Sequence, residues 1–403
     1  MKATNVILLL GCALAWCSAD DSFEDSLGDD TSVTREARRI EECPTLSDFE
    51  RATSVHKLRP KDIEVVAAIG DSLSSAVAAI NIQTDYLTPE QFKQYRGLSF
   101  DMGGDEDAIT IPNFLEHYTR EPLIGPSVGV RDVPISEETF FAYDAQQVSE
   151  IDRLNAAIPA ATSYNFTQQA EYLIERIGKN TAMATKWKLI TVFMGLNDLS
   201  ASCLPGYSFL EYRQRMEKGI ELLKQNIDYA IISVVGLLHS EQMQDVTNKN
   251  PTYRKHFKDE KMDVQTFECI CCHHPISGTK LLPQPLAGLL DMAVAPLGKQ
   301  QIARNVELYD RELRRLVMEQ ANRNADATTT VVYQPFNIDI NSVPVEAISN
   351  LDGFHPNKIG QEYMAKAYWN QLFLPSNKKK QNLQFNEELP LYCPTGNDYI
   401  QTM

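Results

Sequence analysis

The sequence predicts an α/β protein whose parallel sheet is covered on both faces by helices, and three observations carry the prediction. Four runs, "IEVVAAIG" (63–70), "KLITVFMG" (188–195), "AIISVVGLL" (230–238) and "TTVVYQPF" (329–336), are β-rich and apolar on both faces. Strands of that kind belong to parallel sheets buried between helical layers. Amphipathic stretches alternate with them. Ile302, Val306, Tyr309, Leu313 and Leu316 recur at three or four residues, one apolar stripe of a helix. Residues 210–223 and 359–372 repeat the pattern. Such alternation implies right-handed crossovers in a layered fold.

Taken in order, the chain opens on "MKATNVILLLGCALAWCSAD", which reads as a secretory signal over residues 1–19. Lys2 is its positive start, residues 6–16 its apolar core, and Cys17, Ser18 and Ala19 are small residues before a cut. The apolar run is shorter than the ~20 residues of a membrane span, and no later stretch reaches that length. The mature protein is therefore expected to be secreted, with no transmembrane segment. Residues 20–42 are acidic and polar, then mixed in charge, and predict a disordered leader. No repeat or long linker divides the remainder of the chain, so one domain is expected over 43–375, with a tail, 376–403, packed or tethered to it. The formal charge of −16, from 38 basic against 54 acidic residues, argues against nucleic acid and against electrostatic capture by anionic headgroups.

Eight cysteines become six once Cys12 and Cys17 leave with the signal: Cys43, Cys203, Cys269, Cys271, Cys272 and Cys393. An even count in an exported chain favours three disulfides, with fifteen possible connectivities; Cys43 with Cys393, stapling the two ends of the fold, is one candidate pair, and the connectivity stays open. The run "CICCHH" also raises a zinc site, but adjacent residues in one segment rarely converge tetrahedrally, and no metal or cofactor is expected. The sequon Asn165-Phe166-Thr167 predicts an exposed, glycosylated Asn165.

Ligands of open α/β sheets bind beyond the carboxyl ends of the strands. Three segments fall there: Gly70-Asp71-Ser72-Leu73, Gly195-Leu196-Asn197-Asp198 and Asp352-Gly353-Phe354-His355. Ser72 alone reads as a helix N-cap, and a lone Asn-Asp as turn chemistry. Together they supply the parts of nucleophilic catalysis. His355 is a base for the Ser72 hydroxyl, and Asp352, three residues earlier, fixes the imidazole. The Asn197 amide and the Ser72 N–H, at a helix N-terminus, are candidate oxyanion donors.

The sequence resembles the GDSL, or SGNH, hydrolase superfamily, and within it the single-repeat, secreted phospholipase B-like branch. The carrying segments are "SVHKLRPKDIEVVAAIGDSL" (54–73), "YRGLSF" (95–100) with Gly103-Gly104-Asp105, "IPNFL" (111–115) and "WKLITVFMGLNDL" (187–199). "VVYQPF" (331–336), "DGFH" (352–355) and "LYCPTGNDYI" (391–400) complete them. The resemblance implies a three-layer αβα flavodoxin-like fold with a five-stranded parallel sheet, metal-free, cleaving carboxylic esters. It places the family's serine on Ser72, its asparagine on Asn197, and its aspartate and histidine on Asp352 and His355.

The family's glycine after "LNxAxP", a backbone oxyanion donor, falls on Ala160 in "LNAAIPAATSYNF" (154–166). Alanine keeps the N–H and is strained only where φ must be positive; Gly104 is a second candidate for that donor. Ala76 and Leu196 also stand where the family commonly has glycine. The expected function is hydrolysis of fatty-acyl esters of glycerophospholipids or lysophospholipids through an acyl-Ser72 intermediate, with transient contact at a lipid surface. The alternatives are an esterase for small acyl esters and a catalytically weakened lipid-binding protein. An aggregated lipid substrate requires an apolar approach surface, for which Phe100, Met102, Ile109, Ile111, Phe114 and residues 281–297 are candidates, each equally readable as plain core.

Overall fold

The computed structural model describes residues 35–47, 50–133, 147–253, 256–257, 268–273, 284–322 and 328–402, with side chains omitted over most of 284–296. The signal sequence and residues 20–34 of the leader lie outside the described residues. Four strands form the central sheet: β1 (Val65–Gly70), β2 (Lys188–Phe193), β3 (Ala230–Val235) and β4 (Thr329–Gln334). They pair in chain order, all parallel, with Val65 opposite Lys188, Lys188 opposite Ala230, and Ala230 opposite Thr329. Every residue of β1, β2 and β3 is buried, which explains why their sequences show no apolar–polar alternation.

Among the described residues the sheet has four hydrogen-bonded strands, and a fifth is not among them. Beside β1 the described residues make two single bridges, Ile124 to Val65 and Asn155 to Ala68. Between them Gly125 takes φ +112°, and a Cβ there would meet the Val66 carbonyl oxygen at 2.1 Å. The chain touches the edge and turns away before a ladder forms.

The helices are α1 (Phe166–Ile177), α2 (Phe209–Asn226), α3 (Gln284–Asn322) and α4 (Lys358–Leu372). The α3 stripe lies where its spacing predicts, since Ile302, Val306, Tyr309, Leu313 and Leu316 are all buried. Gly219 of α2 lets the Phe166 ring approach to 2.5 Å of where its Cβ would stand. Arg213 of α2 pairs with Glu319 of α3 at 2.7 Å. On the face that carries Thr191 and Ser233, Tyr368 of α4 hydrogen-bonds both, at 3.2 and 2.7 Å. Phe100, Phe193 and Phe336 pack around it. Phe100, Met102, Ile111 and Phe114 are therefore core, not an approach surface. Ile109 is partly buried against that core, and the side chains of most of 281–297 lie outside the described residues.

The tail is packed onto the domain. Glu36–Ala37 pairs antiparallel with Leu391–Tyr392, and Cys43 is bonded to Cys393. The last part of the expected disordered leader is thus held in place by the strand pair and the disulfide beside it. Cys203–Cys271 and Cys269–Cys272 are the other two disulfides. Asn165 is half-buried rather than exposed, because its side-chain oxygen accepts from the Thr162 N–H at 3.1 Å. Among the described residues no helix is long and apolar enough to cross a membrane.

Candidate active site

β1 ends on a clamp. The Gln169 side chain of α1 accepts from Gly70 N–H and donates to Gly70 C=O, both at 2.9 Å. A Cβ on Gly70 would meet Ser74 Oγ at 2.7 Å, so only glycine lets the chain fold back here. Asp71 Oδ1 then accepts from Leu73 N–H at 3.0 Å. No helix comes next. Residues 71–76 form turns, and Ala76 and Ala78 sit at φ +51° and +56°, conformations a right-handed helix excludes. The expectation of a helix N-terminus at Ser72 is corrected, and with it the N-cap reading. Ser72 is buried, and among the described residues its hydroxyl caps nothing.

His355 and Asp352 are brought together, though not by a helical turn. Gly353 takes φ +67°, and Asp352 Oδ1 accepts from the N–H groups of Phe354 and His355 at 2.9 and 3.0 Å. That Asx-type turn frees Oδ2 for His355 Nδ1, 2.7 Å away. Both side chains are buried. His355 Nε2 is buried and has no hydrogen-bond partner among the described residues. This loop packs against the Ser72 turn. Lys358 N–H donates to Ala79 C=O at 2.7 Å, and the Gln361 amide reaches Leu73 C=O at 3.3 Å. No hydrogen bond joins Ser72 Oγ to His355 Nε2, a contact that in unliganded enzymes often tightens only with substrate.

Asn197 stands in the short helix Leu196–Ser200 after β2. Its amide donates one N–H to Ala161 C=O at 2.9 Å, leaving the second, since an amide nitrogen carries two. Ala160, beside that carbonyl, has φ +60°, the left-handed value glycine would take. The N–H groups of Ser72 and Ala160 make no hydrogen bond among the described residues. Gly104 is different: its N–H already donates to Ser127 C=O at 2.8 Å, so it has no donor to offer.

Buried groups that the sequence reading did not assign support these loops. Arg96, paired with Asp152 at 3.2 Å, donates to the carbonyls of Asn155 and Ala157 at 3.3 and 2.8 Å. It braces the segment that leads to Ala160. Asp198 accepts from Ser163 N–H at 2.8 Å and ties that segment to the Asn197 helix. Arg96 lies inside "YRGLSF", the one sequence signal for it. Glu268, with its Oε1 3.9 Å from His355 Nδ1, has no such signal.

Charge is concentrated on the imidazole. Burial opposes a charged His355, but Asp352, Glu268 and Asp71 outweigh it and raise its pKa to about 9. Burial lifts Asp71 to about 7 despite the Leu73 N–H and the imidazole. Glu268, Asp352 and His355 bring ligand-capable atoms within 4.8 Å of one another. Asp352 Oδ2 and His355 Nδ1 stand closer than the about 3.3 Å expected between two donors of a tetrahedral zinc, so the trio reads as a charge cluster.

An apolar cavity of about 30 Å³ adjoins the site. Leu73 follows Ser72, Leu196 precedes Asn197, Phe354 and Pro356 flank His355, and all four line it. Met243, Ile338, Val343 and Met364 line it further on.

The model of the GDSL-like lipase/acylhydrolase family matches residues 66–368, a span that holds Ser72, Ala160, Asn197, Asp352 and His355. The membrane-associated phospholipase B1 of Homo sapiens is 29% identical over 363 residues, 86% of this chain and 22% of that protein. Its Rattus norvegicus counterpart is 29% identical over 384 residues, 92% of this chain and 23% of that protein. The Mus musculus protein is 28% identical over 356 residues, covering 85% and 21%. The chain thus spans under a quarter of the length of these relatives. With the family match running across most of its length, the chain belongs to the GDSL-like lipase/acylhydrolase family.

Proposed function

We propose that the protein is a secreted serine esterase that hydrolyses fatty-acyl esters of glycerophospholipids or lysophospholipids. The observation that carries the proposal is the buried Asp352–His355 pair, its Nε2 unpartnered among the described residues, in the loop before α4, whose Gln361 amide reaches Leu73 C=O beside Ser72. His355 takes the Ser72 proton as Ser72 Oγ attacks the ester carbonyl, and the Ser72 N–H, the Ala160 N–H and the Asn197 amide hold the developing oxyanion. The tetrahedral intermediate collapses, His355 protonates the departing alkoxide, and the acyl group stays on Ser72. Water activated by the same imidazole then releases the fatty acid. The apolar cavity between the Ser72, Asn197 and His355 segments supports an acyl substrate. The disulfides agree with an exported protein.

The cavity is small, which favours a second reading, small acyl esters; Met243 and Met364 in its wall are flexible apolar side chains that can make room for a longer chain. Product analysis on a mixed-acyl phosphatidylcholine, alongside a chain-length series of nitrophenyl esters, separates the readings. Release of free fatty acid with a preference for long chains supports the phospholipase. Acetyl and butyryl preference with no phospholipid turnover supports the small-ester enzyme, and no hydrolysis of either overturns both.

A further inference from the structure

We infer that Glu268 is a positioning residue for the esterase reaction: a second carboxylate on the Nδ1 side of His355, held there by a disulfide-clasped segment. The inference rests on the proposed function for its chemistry and on independent geometry for its placement.

Glu268 Oε1 lies 3.9 Å from His355 Nδ1, and its side chain is only 8% exposed. A carboxylate buried to that degree is penalised unless an opposite charge answers it. The charge is the imidazole. The charged groups facing His355 come from three elements: Asp352 from its own loop, Asp71 from the turn after β1, and Glu268. The next residue, Cys269, is bonded to Cys272, and Cys271 to Cys203. Ile270 N–H donates to Ser200 Oγ at 3.1 Å. Ser200 ends the Asn197 helix and Cys203 follows it, so the "CICC" run fixes Glu268 to the part of the site that carries Asn197. This assigns a use to a motif the catalytic reading leaves unused.

At 3.9 Å the carboxylate is too far to accept the Nδ1 proton, which Asp352 holds. It acts through its charge. As His355 takes the Ser72 proton, the imidazolium forms between two carboxylates, and Glu268 stabilises it. The same attraction in the resting enzyme raises the pH at which His355 becomes a base. Neutralising Glu268 therefore shifts the acid limb of the rate profile to lower pH. Burial pushes the Glu268 carboxyl itself up to about 7, so its charge, and its hold on His355, are complete only on the alkaline side.

The test uses the full chain with its disulfides intact and compares wild type, Glu268→Gln and Glu268→Asp. Imidazole NMR titration, with His355→Asn as the assignment control, reads the His355 midpoint without substrate. The pH profile of kcat/KM on a nitrophenyl ester reads the limb. The expected result in Glu268→Gln is a midpoint and a limb both lower by about one pH unit, with the Asp variant between. A midpoint and limb unmoved in a folded Gln variant overturn the inference; so does a purely structural loss of rate with no shift. Should Gln fail to fold, the Asp variant is read against the same two outcomes. A midpoint that moves in a protein hydrolysing no ester supports the Glu268–His355 coupling and overturns only the esterase reading.

Discussion

Ala160 holds φ at +60° where the family resemblance calls for glycine, and a Cβ in that region costs about 1–2 kcal/mol. The backbone there already has the shape glycine would give it, with its N–H uncommitted. Ala160→Gly should therefore change two properties. Relief of strain, offset in part by the greater freedom of glycine in the unfolded chain, should raise stability by under about 1 kcal/mol. Turnover should stay within about threefold, because the donor does not move. Thermal melts and ester hydrolysis check both. A tenfold gain in rate would mean that the alanine distorts the loop. Ser72, Asn197, Asp352 and His355 are legible in the sequence as candidates because each sits in a short motif, the first two just after a strand and the last two just before a helix. Glu268 is not, because its contact with His355 is made only by the fold, and neither residue's neighbours announce it.

Among the elements, strands and helices were the most legible, since apolar runs and three-to-four spacing are set by local sequence. Turn geometry was not. Asp352 and His355 are aligned by an Asx-type turn around Gly353 rather than by helix, and the chain after Ser72 turns instead of entering a helix. Tertiary context decides three further details: the edge beside β1, the surroundings of Phe100 and Phe114, and the partner of the Gly104 N–H. Gly125 turns the chain off the edge of β1, Phe100 and Phe114 are taken by the α4 face, and Ser127 claims the Gly104 N–H. The cavity gives a prediction at this scale. Val343 lines it and is only half-buried, so Val343→Trp should narrow it without rebuilding the core. The ratio of long-chain to short-chain ester hydrolysis should fall by on the order of tenfold, with short-chain turnover largely kept. An unchanged ratio would place the acyl chain elsewhere.

Across the whole molecule, the proposed chemistry draws on three distant parts of the chain. The parallel sheet delivers Ser72 and Asn197 from the ends of adjacent strands β1 and β2, while the loop before α4 returns His355 to the same edge. Cys43–Cys393 joins residues 350 apart in sequence; its only sequence signal is one cysteine near each end of the domain, and six cysteines allow fifteen connectivities. Three cysteines crowded into "CICC" give no order for the other two pairings. Peptide mapping after treatment with a fluorophosphonate decides whether Ser72 is the nucleophile activated by the Asp352–His355 pair. One adduct is expected, on the peptide carrying Ser72, lost in Ser72→Ala and slowed by about a hundredfold or more in His355→Ala. Ester hydrolysis that persists in Ser72→Ala, or an active wild-type protein whose Ser72 stays unlabelled, would contradict it.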